Sequence, residues 1–327
     1  MRTAPRDLSQ SGLRDSLAGG WGLNAVDVEY VPEGGGSYHW QVADDARRRY
    51  FVTVDDLDQK SYLGVDRDSA FEGLRRALDT SDALRHRAGL EFVVAPLPTP
   101  EARTVQRIGS RYAVAVYPFI QGTSPGFGAS LEPHERAAQV RMLARLHQVD
   151  PPIAPYARSI SSALPERRSL ENALGQLDVE WTGGPLSEPA RALLAKHAAR
   201  VRRLLTKFDE LGDKVGAVGA EPVITHGEPH GGNLIRSGDQ LLLIDWDTVG
   251  LAPRERDLWM LAAANAADLD LYSEVSGRPV DLNAIALYEL RWQLDDISLF
   301  VADLKSPHER TADTEHAWRA LVESMPL

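Results

Sequence analysis

The chain has 327 residues, a formal net charge of −11 and no cysteine, with 43% hydrophobic and 25% charged residues. The missing cysteines exclude disulfides, thiolate metal sites and cysteine nucleophiles, and they fit a reducing cytoplasm. The acidic balance argues against nucleic acid as a partner and favours a cationic small molecule. Since no apolar run approaches a membrane span and residues 1–20 are too polar for a signal peptide, we expect a cytoplasmic protein without membrane attachment.

The first third of the chain predicts a short helix followed by a strand-rich region. Alternation of apolar and polar residues and enrichment in β-formers mark the strands, whereas apolar residues at helical spacing mark the helices. The predicted helices cover residues 7–17 and 68–88, and the predicted strands cover residues 25–31, 38–42, 50–54, 92–95, 104–108 and 112–116.

The remainder of the chain is predominantly helical. Predicted helices cover residues 131–149, 188–211, 283–304 and 311–322. Between the two regions, residues 117–122 change from apolar to glycine and are followed by Ser124-Pro125-Gly126, a composition typical of a domain boundary. We therefore predict two domains, residues 1–121 and residues 122–327.

The densest group of polar residues accompanies a predicted hairpin that turns at residues 237–239. Four polar residues precede the hairpin and two carboxylates close it: His226, Glu228, His230, Asn233, Asp245 and Asp247. Carboxylates and a carboxamide at neighbouring strand ends suit Mg²⁺, because this ion takes hard oxygen ligands and shares them with substrate phosphates. A buried hairpin with polar ends is the alternative interpretation.

Two blocks of this stretch resemble the aminoglycoside phosphotransferase family, relatives of the protein kinases. They are His226-Gly227-Glu228-(four residues)-Asn233 and Ile244-Asp245-Trp246, where the family has His-Gly-Asp-(four residues)-Asn and Ile-Asp-Trp/Phe. The resemblance implies an α/β (α+β) fold of the protein-kinase-like, two-lobed type. Residues 1–121 would form an antiparallel-sheet N-lobe that binds the nucleotide, and residues 122–327 a mainly helical C-lobe with the catalytic loop.

The resemblance also implies a role for each matching residue. Asn233 and Asp245 would be Mg²⁺ ligands, and Glu228 stands where the family carries its catalytic Asp. The extra methylene of Glu228 moves its carboxylate by roughly 1 Å unless the backbone compensates, a displacement that can cost about 10²-fold in rate. Asp257 would anchor the catalytic loop.

ATP or GTP is the co-substrate that the resemblance implies, and the N-lobe would bind it. Glycines allow positive φ and bring backbone N–H groups close to phosphates, so the glycine-rich loop is either a phosphate-binding loop or an ordinary turn. Residues 117–122 would be the hinge that meets the adenine. The candidate nucleotide-binding residues are Gly34, Gly35, Gly36, Ser37, Thr53, Tyr117 and Phe119.

The third strand lacks the lysine that contacts the α- and β-phosphates in kinase-like folds. Thr53 occupies its place, and Glu72 on the next helix, the expected partner, has no lysine to pair with. The candidates for the lost charge are Arg75, Arg76, the cluster at residues 47–49 and Lys60, and the sequence does not distinguish among them.

The predicted reaction is Mg²⁺-dependent transfer of a γ-phosphate to a hydroxyl group of a small molecule. An aminoglycoside or aminocyclitol antibiotic is the expected acceptor, which would make the protein a resistance enzyme. Carboxylates could bind its ammonium groups while an aromatic ring packs on a sugar face, and the candidates are Asp247, Trp292, Asp295 and Asp296.

The alternatives are a metabolic kinase for an amino alcohol or amino sugar and a catalytically weak pseudokinase that binds nucleotide or antibiotic. Both a monomer and a homodimer fit the sequence.

Overall fold

The computed structural model describes residues 1–5, 7–219 and 221–326. The chain divides into two units by its internal contacts. The first comprises Met1–Ile160 and Glu221–Val280, and the second comprises Ser161–Ala220 and Asp281–Leu327. The predicted boundary at residue 121 lies within the first unit, and the division into lobes stays a prediction.

The first unit begins with a helix and an antiparallel sheet. The sheet has the strand order β1-β2-β3-β5-β4. In chain order the elements are α1 (Gln10–Trp21), β1 (Ala25–Val31), β2 (Ser37–Asp44), β3 (Arg49–Asp56), α2 (Arg67–His86), β4 (Gln106–Ile108) and β5 (Tyr112–Pro118).

Strand β3 contributes side chains to both faces of this sheet, because side chains alternate along a strand. Val52 and Val54 are fully buried in a core that includes α1. Thr53 and Asp55 lie on the opposite face, where β5 pairs them with Ala115 and Ala113. Both alanines belong to the core formed with α2. The face of β3 that packs toward α2 is therefore the one that carries the polar side chains of Thr53 and Asp55.

One predicted strand is absent from the sheet. Residues 92–95 form only an isolated parallel bridge, between Val93 and Leu243. Pro96 and Pro98 follow immediately, and proline has no backbone N–H to extend a ladder. The prediction of a full strand over residues 92–95 is therefore wrong, although Val94 N–H still bonds the Leu243 carbonyl at 3.0 Å.

The rest of the chain is mainly helical. It contains α3 (Pro133–His147), β6 (Arg158–Ser159), α4 (Arg167–Leu174), α5 (Ser187–Val218), β7 (Val223–Thr225), β8 (Leu234–Ser237), β9 (Gln240–Leu243), β10 (Gly250–Ala252), α6 (Glu255–Ala264), α7 (Ala267–Ser276), α8 (Leu282–Lys305) and α9 (Ala312–Ser324). Strands β6, β10 and β7 form a small sheet in that order, and β8 and β9 form a hairpin. The predicted α+β class is confirmed.

The second unit consists of α4, α5, α8 and α9 around its own apolar core. Leucine, isoleucine and valine side chains from these helices are fully buried there, among them Leu194, Val201, Leu294, Ile297 and Leu321. None of the described helices is both long enough and apolar enough to cross a lipid bilayer.

Candidate active site

The β8–β9 hairpin brings the two predicted metal ligands to neighbouring positions. Leu234 pairs with Leu243, and the backbone N–H of Ile244 donates to the carbonyl of Asn233 at 2.9 Å. Asn233 therefore directly precedes the hairpin, and Asp245 follows it at the neighbouring strand end. Asp245 has φ of 65°, an uncommon conformation for a residue other than glycine. Strained backbone of this kind is concentrated at functional sites.

The Asn233 carboxamide is oriented so that its oxygen is available to a cation, and Asp245 lies in a strongly charged environment. The Asn233 amide nitrogen donates to the Glu228 carbonyl at 2.9 Å, so its carboxamide oxygen is the atom left for a ligand. Asp245 is accessible to solvent but closely surrounded by protein, which raises the pKa of its carboxyl well above the usual value. The negative charges of Asp247 and Glu228 raise that pKa further, and the positive charge of Lys60 opposes them. Asp247, Glu228 and Lys60 therefore all lie within electrostatic reach of Asp245.

Asp257 anchors the loop that follows β7, as predicted. Its fully buried carboxylate accepts hydrogen bonds from the backbone N–H groups of His226 at 2.8 Å and Gly227 at 2.6 Å. His147 on α3 lies 3.0 Å from the same carboxylate. Burial alone would raise the pKa of Asp257, but the contact with His147 and the charge of Arg256 hold it below its usual value.

His226 joins this loop to the end of β9. Its Nδ1 accepts from the Glu228 N–H at 3.1 Å, so Nε2 is the donor to the Ile244 carbonyl at 2.9 Å. Burial lowers the pKa of His226 to about 4, which keeps the ring neutral near pH 7. In this neutral tautomer, Nδ1 of His226 accepts the hydrogen bond that holds the backbone of Glu228, the proposed base.

Glu228 presents a carboxylate that an incoming hydroxyl group could reach. Its side chain is 36% exposed, and its Oε2 lies 3.9 Å from His230 Nε2. Burial lowers the pKa of His230 to about 4, so that ring is also neutral near pH 7. Glu228, whose side chain is longer than that of aspartate, therefore provides an accessible base. The backbone of its loop is held by His226 and Asp257.

The cation at this site is Lys60, one of the candidates among which the sequence did not distinguish. Its side chain is 2% exposed, and its ammonium lies 2.8 Å from Asp55 Oδ1 and 2.7 Å from Asp247 Oδ2. It also donates to Ser37 Oγ at 3.0 Å and to Tyr62 OH at 3.1 Å. Burial alone would lower the pKa of Lys60, but the charges of Asp247 and Asp55 raise it well above its usual value. One signal was available, since Lys60 is the only lysine in residues 1–195.

The other candidate cations are engaged elsewhere. Arg75 forms ion pairs with Glu72 and Asp79 along α2. Arg76 donates to the Tyr156 carbonyl at 3.1 Å, and Arg48 pairs with Asp44. Thr53, at the position of the expected lysine, has its hydroxyl 3.3 Å from His39 Nδ1. Of the residues considered from sequence, only Lys60 contacts the carboxylates around Asp245.

The glycine-rich loop lies directly beside Lys60. Gly34 and Gly36 have φ of 80° and 78°, which side chains rarely adopt. A Cβ added at Gly34 would lie 2.9 Å from His39 Nε2, and one added at Gly36 would lie 3.8 Å from Lys60 Nζ. Ser37, which ends the loop, donates to Asp55 Oδ1 at 2.6 Å. The loop, Asp55 and Lys60 thus form one hydrogen-bonded unit.

The predicted hinge continues β5. Tyr117 pairs with Phe51 on β3, and the Phe119 ring lies under the Arg49 guanidinium at 3.6 Å from its centroid. Past the hinge, the backbones of Thr123 and Arg236 exchange hydrogen bonds of 3.0 and 2.9 Å. The segment is therefore fixed to β8, and adenine binding by Tyr117 and Phe119 stays a prediction.

The predicted acceptor residues divide into two groups. Asp247 joins the site already described, where it accepts hydrogen bonds from Lys60 and Tyr62. The other three lie on α8 in the second unit. There Asp295 lies 3.5 Å from Arg291, and Asp296 accepts from Ser324 Oγ at 3.3 Å. Burial raises the pKa of Asp295 to about 7 and that of Asp296 to about 6. The acceptor role of Trp292, Asp295 and Asp296 stays a prediction.

The donor set suits a metal shared with phosphates. Among the described residues, no three histidine, cysteine or carboxylate side chains gather around a common metal position. Mg²⁺ held against a nucleotide needs fewer protein ligands, because phosphates and waters supply the others. The carboxamide oxygen of Asn233 and the carboxylate of Asp245 are hard donors on adjacent strand ends, and together they can hold such an ion.

Comparisons with solved structures find the same fold. The chain is similar to a spectinomycin phosphotransferase solved with ADP and spectinomycin, at 20% identity and a TM-score of 0.77, over 97% of this chain and 95% of that chain. It is also similar to a macrolide 2'-phosphotransferase from Brachybacterium faecium (17%, TM-score 0.53) and a choline kinase from Streptococcus pneumoniae (13%, TM-score 0.56). Each of these two matches covers 97% of this chain and 98% of the other chain. The predicted kinase-like fold is thus confirmed.

Sequence comparison gives the family. No curated protein sequence matches the chain. A model of the phosphotransferase enzyme family matches residues 27–321, which includes both motif blocks and Lys60. The chain therefore belongs to the phosphotransferase enzyme family and is an enzyme that phosphorylates a hydroxyl group.

Proposed function

We propose that this enzyme transfers the γ-phosphate of ATP or GTP, bound with Mg²⁺, to a hydroxyl group of a cationic aminoglycoside or aminocyclitol antibiotic. One observation carries the proposal: the Asp245 carboxylate lies within electrostatic reach both of an accessible carboxylate, Glu228, and of the buried Lys60 ammonium. Phosphoryl transfer needs this combination, because the protein mainly positions the reactants and offsets charge on the phosphates.

Each residue contributes one step to positioning or proton transfer. Asn233 and Asp245 would hold the metal ion, which would offset the negative charge of the nucleotide phosphates. Glu228 orients the acceptor hydroxyl and takes its proton as the oxygen attacks. General-base catalysis of this kind contributes about 10²- to 10⁴-fold. Asp257 and His226 keep the backbone of Glu228 in place through the hydrogen bonds to its loop.

The departure from the family's Asp is compatible with activity. The Glu228 carboxylate is exposed enough to swing toward a bound substrate. Glu and Asp also have similar intrinsic pKa values, so the exchange changes reach rather than basicity. Together with the buried cation near Asp245, this supports an active enzyme over a pseudokinase.

Two observations support the acceptor class. The protein carries a net charge of −11, which favours cationic ligands. Its fold also resembles that of a spectinomycin phosphotransferase at a TM-score of 0.77, compared with 0.53 and 0.56 for the macrolide and choline enzymes. Spectinomycin is therefore the first acceptor to test. A cytoplasmic location, where nucleoside triphosphates are available, fits this reaction.

The test is turnover by purified protein with Mg-ATP or Mg-GTP and a panel of acceptors. The panel contains spectinomycin, several aminoglycosides, a macrolide, choline and ethanolamine, and mass spectrometry detects the phosphorylated product. We expect phosphorylation of an aminocyclitol or aminoglycoside that is abolished in Asp245→Ala and retained in Asp239→Ala, an exposed control in the hairpin turn. Turnover of choline or ethanolamine alone would indicate a metabolic kinase. Thermal stabilisation by nucleotide or antibiotic without turnover would indicate a binding protein.

A further inference from the structure

We propose that Lys60, which lies outside strand β3, supplies the phosphate-binding cation that kinase-like folds place on that strand, and that Asp55 positions it. The inference rests on the proposed nucleotide-dependent function and adds to it a residue that neither motif block contains. In kinase-like folds the strand lysine contacts the phosphates and pairs with a glutamate on the following helix. In this chain Lys60 replaces the strand lysine, and Asp55 replaces the helix glutamate.

The ammonium of Lys60 lies on the face of β3 that carries Thr53 and Asp55. Asp55 lies on the same face of β3 as Thr53, because side chains two residues apart share a face. A short 3₁₀ turn, Leu57–Gln59, follows the strand and reverses the chain. The Lys60 ammonium contacts Asp55 Oδ1 at 2.8 Å. The ammonium therefore lies near the place that a lysine at position 53 would serve.

The surroundings of the ammonium match those of a phosphate-binding group. The glycine-rich loop lies close to it, with the Cβ position of Gly36 at 3.8 Å from Lys60 Nζ. Asp247, two residues beyond the proposed metal ligand Asp245, contacts the ammonium at 2.7 Å. The ammonium is therefore close both to the glycine-rich loop and to the strand end that carries Asp245, where the phosphates of a nucleotide would lie.

Lys60 can also exchange partners. An ammonium has three hydrogens, and four oxygens surround this one: those of Asp55, Asp247, Ser37 and Tyr62. Since at least one of these contacts is shared, a phosphate oxygen can replace an existing partner without leaving the cation unsatisfied. Asp55 is the partner best placed to remain, because it is 3% exposed and its Oδ1 also accepts from Ser37.

Asp55 replaces the helix glutamate of the usual pair. Glu72 on α2 has a side chain that is 52% exposed and is bound by Arg75 rather than by a lysine. The Lys60–Asp55 pair instead ties the cation to the end of β3. Its position is therefore set by the strand and the 3₁₀ turn.

The test compares ADP with adenosine, which differ only in their phosphates. Calorimetry measures both affinities in the presence of Mg²⁺ for the wild-type protein and Lys60→Ala. We expect ADP to bind about 10- to 100-fold more weakly to the variant, as expected for loss of a charged hydrogen bond, while adenosine binds within about twofold of wild type. Lys207→Ala, at an exposed lysine on α5, is the matched control and should leave both affinities unchanged. The double variant Thr53→Lys/Lys60→Ala should recover ADP binding, because position 53 shares a face with Asp55.

Two results would overturn the inference. One is a folded Lys60→Ala protein that binds ADP as tightly as wild type. The other is an equal loss of ADP and adenosine binding, which would indicate a structural lysine. If Lys60→Ala does not fold, the neutral pair Lys60→Gln/Asp55→Asn keeps the volume and polarity of the contact, and the same expectations and refutations apply to it.

The outcome for the wild-type protein separates this inference from the proposed function. If the wild type binds no nucleotide and phosphorylates no acceptor, the proposed function fails. If the wild type binds ADP and turns over while the neutral variants bind ADP equally well, only the role of Lys60 fails.

Discussion

Replacing Asp257 by asparagine tests how the loop that carries Glu228 is held. One carboxylate oxygen accepts from His226 N–H and contacts His147, and the other accepts from Gly227 N–H at 2.6 Å. An asparagine oxygen can retain the first pair of contacts. Its amide group would then face the Gly227 N–H, so one hydrogen bond to a charged group is lost and a buried donor has no acceptor.

The magnitude follows from that single lost contact. A hydrogen bond to a charged group is worth about 1.5–3 kcal/mol, and an unsatisfied buried donor costs about 1–3 kcal/mol. Because these ranges describe overlapping parts of one event, we expect the Asp257→Asn variant to lose about 2–4 kcal/mol of unfolding free energy. The loop should also shift, and a displacement of about 1 Å at the base can reduce kcat by about 10²-fold.

The assay is urea unfolding combined with steady-state kinetics. We expect lower stability and a lower kcat, with little change in the affinity for ADP, because the glycine-rich loop and Lys60 make no contact with Asp257. Asp239→Asn, in the exposed hairpin turn, is the control and should change neither quantity. An Asp257→Asn protein with wild-type stability and wild-type kcat would refute this account of the loop.

Three further predictions concern the glycine-rich loop, protonation and the acceptor. Gly34→Ala should weaken ADP binding and destabilise the protein by about 1–2 kcal/mol, since its φ is 80° and its Cβ would lie 2.9 Å from an imidazole nitrogen. Gly35→Ala should leave the free energy of unfolding unchanged in urea, because nothing lies within 4 Å of its Cβ position; an equal loss of stability in the two variants would contradict the reasoning. His226 has its pKa lowered to about 4, so the folded state binds fewer protons than the unfolded state between about pH 6.5 and 4. The stability contribution is complete above about pH 6.5 and is lost as the pH falls toward 4, and His226→Gln should flatten this part of the urea-unfolding profile; an unchanged slope would count against it. If Asp295 and Asp296, with pKa values of about 7 and about 6, bind the cationic acceptor, acceptor affinity should rise between pH 6 and 8 as they ionise. Their double replacement by asparagine should remove that rise, and a rise that survives would exclude these residues.

Most strands of the first sheet and the β8–β9 hairpin could be predicted because their signals are local. Alternation over residues 25–31 gives β1 with the predicted bounds. The spacing between Glu228, Asn233 and Asp245 reflects a hairpin whose length fixes which side chains meet at its ends. Local patterning of this kind is strongest where side-chain period and turn chemistry agree.

The features that the sequence left undecided, or predicted wrongly, depend on tertiary structure. Lys60 lies beyond its strand, and its role becomes visible only when Asp247, 187 residues later in the chain, is seen beside it. Residues 92–95 have a strand-like composition, but the prolines that follow limit them to a single bridge. Short elements such as β6, with two residues, carry no period that a sequence pattern can reveal.

The central claim is that Asn233 and Asp245 hold a divalent cation together with the phosphates of a nucleotide. Calorimetric titration of ADP, with Mg²⁺ and with EDTA, tests it directly in the wild type, Asp245→Asn and Asp239→Asn. The account predicts that Mg²⁺ strengthens ADP binding in the wild type and in Asp239→Asn, and that this gain disappears in Asp245→Asn. A gain from Mg²⁺ that is equally large in Asp245→Asn, or missing from an active wild type, would contradict it.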